Sequence, residues 1–176
     1  KLPEALGHVL RSVFPALLGT VDYKQSPQHF RFTGAVREAD EVLRLFVPGA
    51  RIAPGATFSG NFDTRTFDLG FHSVIPRASY GSIRFDSLEL MADKALDLLA
   101  FSVLSTKQHL GDSLWFSGTG IRGKAYQDEL DLDVGWSASS GGTKGNLSFT
   151  GEVQGPRSIA LELLPSRLFL GQGEWA

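Results

Sequence analysis

Residues 130–137 read Leu130-Asp131-Leu132-Asp133-Val134-Gly135-Trp136-Ser137, a run in which apolar and polar residues alternate. Residues 56–63 and 147–153 repeat this period of two. Successive side chains of a β-strand point to opposite faces, so each run predicts a strand with one apolar and one polar face. The apolar faces must be covered by a second sheet, by closure into a barrel, or by something that is not protein. Which of these covers them decides the function.

The same alternation continues through most of the chain and predicts an all-β fold. Short glycine-rich connections such as residues 141–145 favour hairpins, and therefore an antiparallel meander over residues 56–176. Residues 83–92 and 95–104 form two runs of about ten residues, longer than an ordinary strand, which indicates a wide sheet. The predicted strands are 28–36, 56–63, 66–74, 80–92, 95–105, 114–123, 129–138, 145–153, 158–164 and 167–170.

Two helical segments are predicted before the meander. In residues 1–18, Leu2, Leu6, Val9 and Val13 recur at steps of three and four, which is typical of an amphipathic helix, and Pro15 is expected to end or kink it. This helix would cover one end of the sheet, or act as a mobile plug across an open groove. Residues 38–47 carry acidic residues first and apolar residues last, and predict a short second helix.

The composition limits the class of function. A length of 176 residues suits about one domain, and a net charge of −2 gives no electrostatic reason to expect nucleic-acid binding. The absence of cysteine excludes disulfides and thiolate metal sites. No apolar run approaches the roughly 20 residues of a membrane-spanning helix. Because the chain begins at Lys1, we expect it to be a single soluble segment of a longer protein.

A glycine-rich run resembles two nucleotide-binding motifs. Gly118-Thr119-Gly120-Ile121-Arg122-Gly123 matches the dinucleotide fingerprint, which needs a following helix to hold the phosphates. The next residues predict a strand instead. With Lys124 the run also resembles a phosphate-binding loop, but Ala125 stands where a Ser or Thr would hold magnesium. We therefore predict no cofactor, and interpret the glycines as sites of close packing or bending in a sheet.

No set of residues predicts catalysis or a metal site. Glu129, Asp131 and Asp133 form an acidic stripe, but they alternate with apolar residues and are expected to be a solvated strand face rather than a calcium site. No Gly-x-Ser-x-Gly motif is present. We predict that the protein is not an enzyme and holds no metal. The histidines lack the spacing of a zinc site and are His8, His29, His72 and His109.

The apolar side of the strands is the remaining candidate site. Inside the clear alternating runs no Lys, Arg, Asp or Glu is in phase with it. A sandwich or barrel core and a groove for acyl chains meet this requirement equally. The predicted lining residues are Phe58, Phe62, Phe67, Leu69, Phe71, Ile83, Phe85, Leu88, Leu90, Leu96, Leu98, Leu114, Phe116, Leu130, Leu132, Val134, Trp136, Leu147, Phe149, Ile159, Leu161 and Leu163.

Three stretches give the chain a family resemblance. Residues 43–63 resemble a recurring short helix followed by an I-x-P-G-T-x-hydrophobic-x-G entry into a strand. Residues 79–90 resemble the aromatic-G-x-I strand that follows it, and residues 159–175 resemble a repeat ending with Pro-Ser and a late tryptophan. Together these stretches are similar to the C-terminal region of TamB-type proteins of the AsmA-like family, especially their Bacteroidetes homologues.

The resemblance implies an elongated, curled antiparallel sheet that is open along one side as a hydrophobic trough, the β-taco. It implies a parent protein anchored in the bacterial inner membrane, a periplasmic location, and conduction of phospholipid acyl chains towards the outer membrane. It also implies an outer-membrane barrel partner of the TamA type. An assembly chaperone for barrel proteins is therefore one alternative. A closed, lipocalin-like barrel with one small ligand is the second.

Overall fold

We describe a computed structural model of the chain over residues 11–18, 28–37, 49–111, 114–138, 143–156, 158–170 and 173–175. Residues 11–13 are helical, Phe14 interrupts the helix, and helix α1 (Pro15–Leu18) follows. Proline has no amide hydrogen to continue a helical ladder, which explains the break. The predicted helix over 1–18 is therefore described only from residue 11. The predicted helix near 38–47 lies outside the described residues.

The remaining elements are strands, and all their pairings are antiparallel. The strands are β1 (His29–Val36), β2 (Ala50–Ile52), β3 (Ala56–Asp63), β4 (Asp68–Tyr80), β5 (Ile83–Ala95), β6 (Leu98–Leu110), β7 (Leu114–Tyr126), β8 (Glu129–Ala138), β9 (Lys144–Gly155), β10 (Ser158–Leu163), β11 (Arg167–Leu170) and β12 (Gly173–Trp175).

These strands form one 12-stranded sheet in the order β1-β3-β4-β5-β6-β7-β8-β9-β11-β12. Strands β2 and β3 pair with different parts of β4, and β10 and β11 likewise pair with different parts of β9. Among the described strands no pairing joins the two ends of this order, so the sheet is open and not closed into a barrel. The predicted all-β class and open antiparallel sheet are confirmed.

Strands β4 to β7 have 13 residues each, or about 43 Å, and β4, β6 and β7 are longer than predicted. The predicted strands 66–74 and 80–92 left a gap at 75–79, which contains Pro76. In the structure Ile75 pairs with Leu88 and Arg77 with Asp86, whereas Pro76 has no register partner. Its missing amide hydrogen therefore removes no ladder bond, and the strand continues.

Pro76 begins a line of irregular positions across the sheet, which we call the crease. Ser87 lies opposite Pro76, Thr106 opposite Ser87, and Gly118 opposite Thr106, and the ladder skips all four. Ser87 and Gly118 have positive φ angles of 51° and 60°, and the register between β7 and β8 shifts by one residue at Gly118. Irregularities of this kind bend a strand, so we expect the strands to bend along the crease.

The turns β3–β4, β5–β6, β7–β8 and β9–β10 all lie along one margin of the sheet, which we call the lower rim. Most of the buried side chains in the described residues lie near this rim, including Phe62, Leu99, Ala125 and Val153. The largest hydrophobic cluster at the rim joins Leu99 and Ala125 to Val13 of the N-terminal segment. The protein therefore has a small core at one margin rather than a core beneath the whole sheet.

Glycines allow large side chains to lie flat across the sheet. A Cβ added to Gly123 would lie 2.3 Å from Cζ of Phe101, which is its direct cross-strand partner. The other pairs of this kind are Gly34 with Phe58, Gly60 with Phe32, and Gly145 with Trp136. The interpretation of the 118–123 glycines as sites of packing and bending is confirmed, because Gly123 accommodates a ring and Gly118 lies in the crease.

Candidate functional site

One face of the sheet is apolar from β1 to β11, and we call it the apolar face. Residues directly paired in an antiparallel ladder point to the same side, so the register identifies this face. One row of directly paired residues, from β4 to β10, consists of Phe71, Ala92, Phe101, Gly123, Leu132, Phe149 and Leu163. This row contains no polar side chain, so an uninterrupted apolar strip crosses seven strands.

The apolar face continues beyond the crease, although the alternation of apolar and polar residues along each strand is shifted by one residue there. Phe85 and Leu88 are three residues apart, so strict alternation would place them on opposite faces. Both nevertheless line one cavity together with Phe116 and Ile121, because the irregular backbone of the crease shifts the alternation by one residue. The parts of the face on the two sides of the crease therefore form one surface.

The structure brings most of the predicted lining residues together on this face. Those it places there are Phe58, Phe62, Leu69, Phe71, Ile83, Phe85, Leu88, Leu90, Leu114, Phe116, Leu130, Leu132, Val134, Trp136, Leu147, Phe149, Ile159, Leu161 and Leu163.

Three predicted lining residues lie elsewhere. Phe67 is in the β3–β4 turn with a φ angle of 59°, where it packs against Phe62. Leu96 is in the β5–β6 turn and is 79% exposed. Leu98 points to the opposite face, because its neighbour Leu99 is the register partner of Lys94. The predicted position of Leu98 on the apolar side is therefore wrong.

The error in β6 arises from two consecutive leucines. The predicted phase follows Leu96 and Leu98, whereas the register places Leu99, Phe101 and Val103 on the apolar face. The alternation Phe101-Ser102-Val103 has the correct phase, and a turn of two residues at 96–97 is consistent with it. The aromatic residues of β1 are absent from the predicted lining, although they pair with β3 on this face.

Lys94, which lies between the predicted strands 80–92 and 95–105, places a charge on the apolar face. It lies on the apolar face between Leu69 and Leu99, and it is 1% exposed. Its Nζ donates hydrogen bonds to the carbonyl oxygen of Phe67 at 3.0 Å and to that of Leu96. Burial lowers the pKa of Lys94. The ammonium group thus ties together two turns of the lower rim and is not presented to the open part of the face.

The N-terminal segment covers part of the lower rim. Val13 is 0% exposed, and its carbonyl oxygen accepts a hydrogen bond of 2.8 Å from the amide of Asp128 in the β7–β8 turn. The Asp128 carboxylate in turn accepts the amide of Ala16 at 3.0 and 3.1 Å, near the start of α1. Residues 11–18 therefore lie against the apolar face at one margin, as a cover of limited extent.

Much of the apolar face lies beyond the cluster that Val13 forms with Ala92 and Phe101. On that part, Ile121 is 38% exposed, and Leu161 and Leu163 of β10 are 55% and 58% exposed. Large contiguous apolar patches on soluble proteins mark interaction surfaces or ligand grooves. The face is therefore the candidate site.

A cavity of about 330 Å³ opens on the apolar face at the crease. Its walls are apolar and include Phe85, Leu88, Phe116 and Trp136. Three polar side chains, Ser105, Gln108 and Thr119, also line it, and no charged residue does. The cavity lies at the lower end of the size range of small-molecule sites, so it fits part of a large ligand or the whole of a small one.

The opposite face is polar and its charges are paired across strands. The Asp86 carboxylate lies 3.2 Å from Nε of Arg77 and 3.4 Å from Nε2 of His109. The Glu89 carboxylate lies 2.8 Å from Nε2 of His72. These groups are at least partly exposed, so they remain hydrated. The polar face therefore has the character of an ordinary solvated surface.

Two broader depressions, of about 760 and 710 Å³, lie on this polar face. The larger one is lined by charges of both signs, among them Arg122 and Lys124 opposite Asp133 and Asp131. Groups of opposite sign satisfy one another and give no net attraction to an ion of either sign. We therefore place the candidate site on the apolar face, where contact with a ligand removes apolar surface from water.

The acidic stripe has the surroundings of a solvated strand face. Asp131 and Asp133 are exposed and lie opposite Lys124 and Arg122. Asp133 also accepts a hydrogen bond of 2.6 Å from the hydroxyl of Ser148. Within the described ranges no group of three His, Cys, Asp or Glu side chains is arranged to hold a metal ion. Asp131 and Asp133 therefore lie on the polar face, as their alternation with apolar residues predicts.

Known proteins give no further guidance on the site. No family, no curated protein and no solved structure matches the chain. In the part of the chain that the structure describes, no helix is long and apolar enough to cross a membrane. The functional argument therefore rests on the geometry of the apolar face.

Proposed function

We propose that the apolar face is a trough that binds phospholipid acyl chains and conducts them across the periplasm between the inner and outer membranes. The observation that supports this most directly is the uncharged apolar strip that crosses seven strands of an open sheet. Each methylene that leaves water gains about 0.8 kcal/mol, and a chain lying on an open face gains part of that along its length. Such a gain, spread evenly along the trough, holds a chain without fixing its position.

The resemblance to the TamB-type region belongs to this proposal. From it we infer a periplasmic location, an inner-membrane anchor in the parent protein and a barrel partner of the TamA type. The open sheet is the shape that this resemblance implies. A closed, lipocalin-like pocket does not fit, because the described strands form an open sheet.

The test is lipid extraction and mass spectrometry on the purified protein, with lipid counted per chain. We expect several phospholipids per chain with mixed head groups. Leu132→Asp or Phe149→Glu places a charge in the middle of the strip and should remove most bound lipid. Asp131→Lys is the matched control, since it changes a charge next to Leu132 in sequence but on the polar face. A lipid-free protein, or equal losses in Leu132→Asp and Asp131→Lys, would refute the trough.

A second candidate function, a chaperone for barrel proteins, is favoured by the edge strand β10. All six residues of β10 are exposed, and among the described strands it pairs only with β9. The amide of Leu164 donates to the carbonyl oxygen of Ser148, so by the antiparallel alternation the polar groups of Ile159, Leu161 and Leu163 point outwards. An extended peptide could add to this edge as a further strand.

The two candidates respond differently to a change at this edge. Leu161→Pro removes an outward amide hydrogen without removing a bond to β9. If the protein is a chaperone, this variant should lose binding of an unfolded barrel-strand peptide, whereas Leu132→Asp should keep it. If the protein is a conduit, Leu132→Asp should lose lipid and Leu161→Pro should retain most of it.

A further inference from the structure

Three polar side chains lie close together on the apolar face at the crease, whereas the other polar side chains of this face, Ser73 and Lys94, lie apart from them. Ser105 is the register partner of Thr119, and Gln108 is the partner of Phe85 and Phe116. All three polar residues line the cavity of about 330 Å³. Sequence patterning alone does not require polar residues here, since an apolar side chain would extend the strip. The group therefore calls for a chemical explanation.

Two of these three side chains have unused hydrogen-bonding capacity. The Ser105 hydroxyl is held by the carbonyl oxygens of Asp86 at 2.9 Å and Lys107 at 2.8 Å. Thr119 Oγ1 is buried and has no hydrogen-bond partner among the described residues. The Gln108 amide likewise makes no hydrogen bond within the described part of the chain. An unmatched buried polar group lowers stability, and a ligand that pairs with it recovers that loss.

The chemistry of the cavity selects the kind of ligand. A phosphate or a carboxylate would be desolvated there without a countercharge, because no Lys or Arg lines the cavity. A neutral acceptor can take hydrogen bonds from the Thr119 hydroxyl and the Gln108 amide at much lower cost. The walls of Phe85, Leu88 and Trp136 require apolar groups on either side of that acceptor.

We propose that the cavity at the crease binds the ester carbonyl of an acylated lipid, with the acyl chain continuing along the open apolar face. This inference rests on the proposed function and adds a discrete site to it. The trough would hold acyl chains loosely along its length. The cavity at the crease would bind the ester group, which links the acyl chain to the head group, at one fixed position. Ester-linked lipids would then bind more tightly than hydrocarbon or ether-linked molecules of the same length.

The experiment compares dipalmitoyl phosphatidylglycerol with its di-O-hexadecyl ether counterpart on the purified full chain. Binding is measured by displacement of a pyrene-labelled alkane. We expect the diester to bind about fivefold to tenfold more tightly, which is the effect of one buried hydrogen bond. Thr119→Val keeps the shape and removes the hydroxyl, so it should abolish the preference while ether binding stays unchanged.

Two further variants keep the test decisive. Gln108→Leu should also reduce the preference, and it serves if Thr119→Val fails to fold. Thr57→Val makes the same chemical change at an exposed position of the polar face and should leave the preference intact. Equal binding of both lipids to the unmodified protein, or a preference that survives both cavity substitutions, would overturn the inference but leave the trough standing. If neither lipid binds, the proposed function itself fails.

Discussion

Gly123 is the position where the packing of the apolar face can be tested most directly. In Gly123→Ala the new Cβ would lie 2.3 Å from Cζ of Phe101 and 2.8 Å from Cδ2 of Leu132. Real Cβ atoms do not approach so closely, so the ring must move or the strands must separate, at a cost of about 1–3 kcal/mol. Replacing glycine by alanine in a strand recovers about 0.5–1 kcal/mol. We expect a net loss of about 1–2 kcal/mol in the free energy of unfolding.

The assay is urea denaturation followed by tryptophan fluorescence and circular dichroism. Gly135→Ala is the matched control, because its new Cβ would meet nothing closer than 3.6 Å, on the polar face of the adjacent strand. It should be neutral or stabilising by up to about 1 kcal/mol. Phe101→Leu shortens the ring side chain, so in the Gly123→Ala background it should show a coupling of about 1 kcal/mol. If Gly123→Ala is as stable as Gly135→Ala, the register that puts Phe101 and Gly123 on one face is wrong.

Two further predictions concern the lower rim. Burial holds the pKa of Lys94 below its usual value of 10.5, so the unfolded chain binds more protons there, and the free energy of unfolding should rise with pH from that lowered pKa towards 10.5. In urea titrations at several pH values, Lys94→Met should remove this rise, whereas Lys124→Met, at an exposed position, should keep it. A rise of equal size in the unmodified protein and in both variants would show that Lys94 is not its source. Asp128→Gly removes the acceptor of the Ala16 amide while accommodating the φ angle of 68°. It should cost about 1 kcal/mol and speed hydrogen exchange at Ala16, whereas equal effects from Gln127→Gly in the same turn would count against the contact.

Local alternation was enough to predict most of the fold. Residues 130–137 alternate without interruption, and the structure places Leu130, Leu132, Val134 and Trp136 on one face as predicted. The open sheet followed from the absence of a covering element and from the family resemblance. Alternation failed where a strand carries apolar residues on consecutive positions, as at Leu98-Leu99, because either phase then satisfies the pattern.

The crease could not be predicted, because its causes lie in neighbouring strands. Pro76 signals an irregularity in β4, but Ser87 and Thr106 carry no such signal in their own strands. They become irregular because they lie beside Pro76 and Gly118 in the register, which only the assembled sheet defines. The same reason hides the cavity, since Phe85 and Leu88 look like residues of opposite faces in the sequence.

The crease also fixes the direction in which an acyl chain would travel. It runs across β4 to β7, at right angles to the strands, and the apolar row through Phe101 and Leu132 runs parallel to it. Along the strands, by contrast, the lower rim is closed at one margin by Val13 and the buried Lys94. A chain that moves from strand to strand parallel to the crease keeps apolar contacts at every step, whereas a chain that moves along a strand meets the covered rim. The proposed path therefore lies across the strands. Gln108 and Thr119 would lie beside this path and bind the ester carbonyl of the lipid.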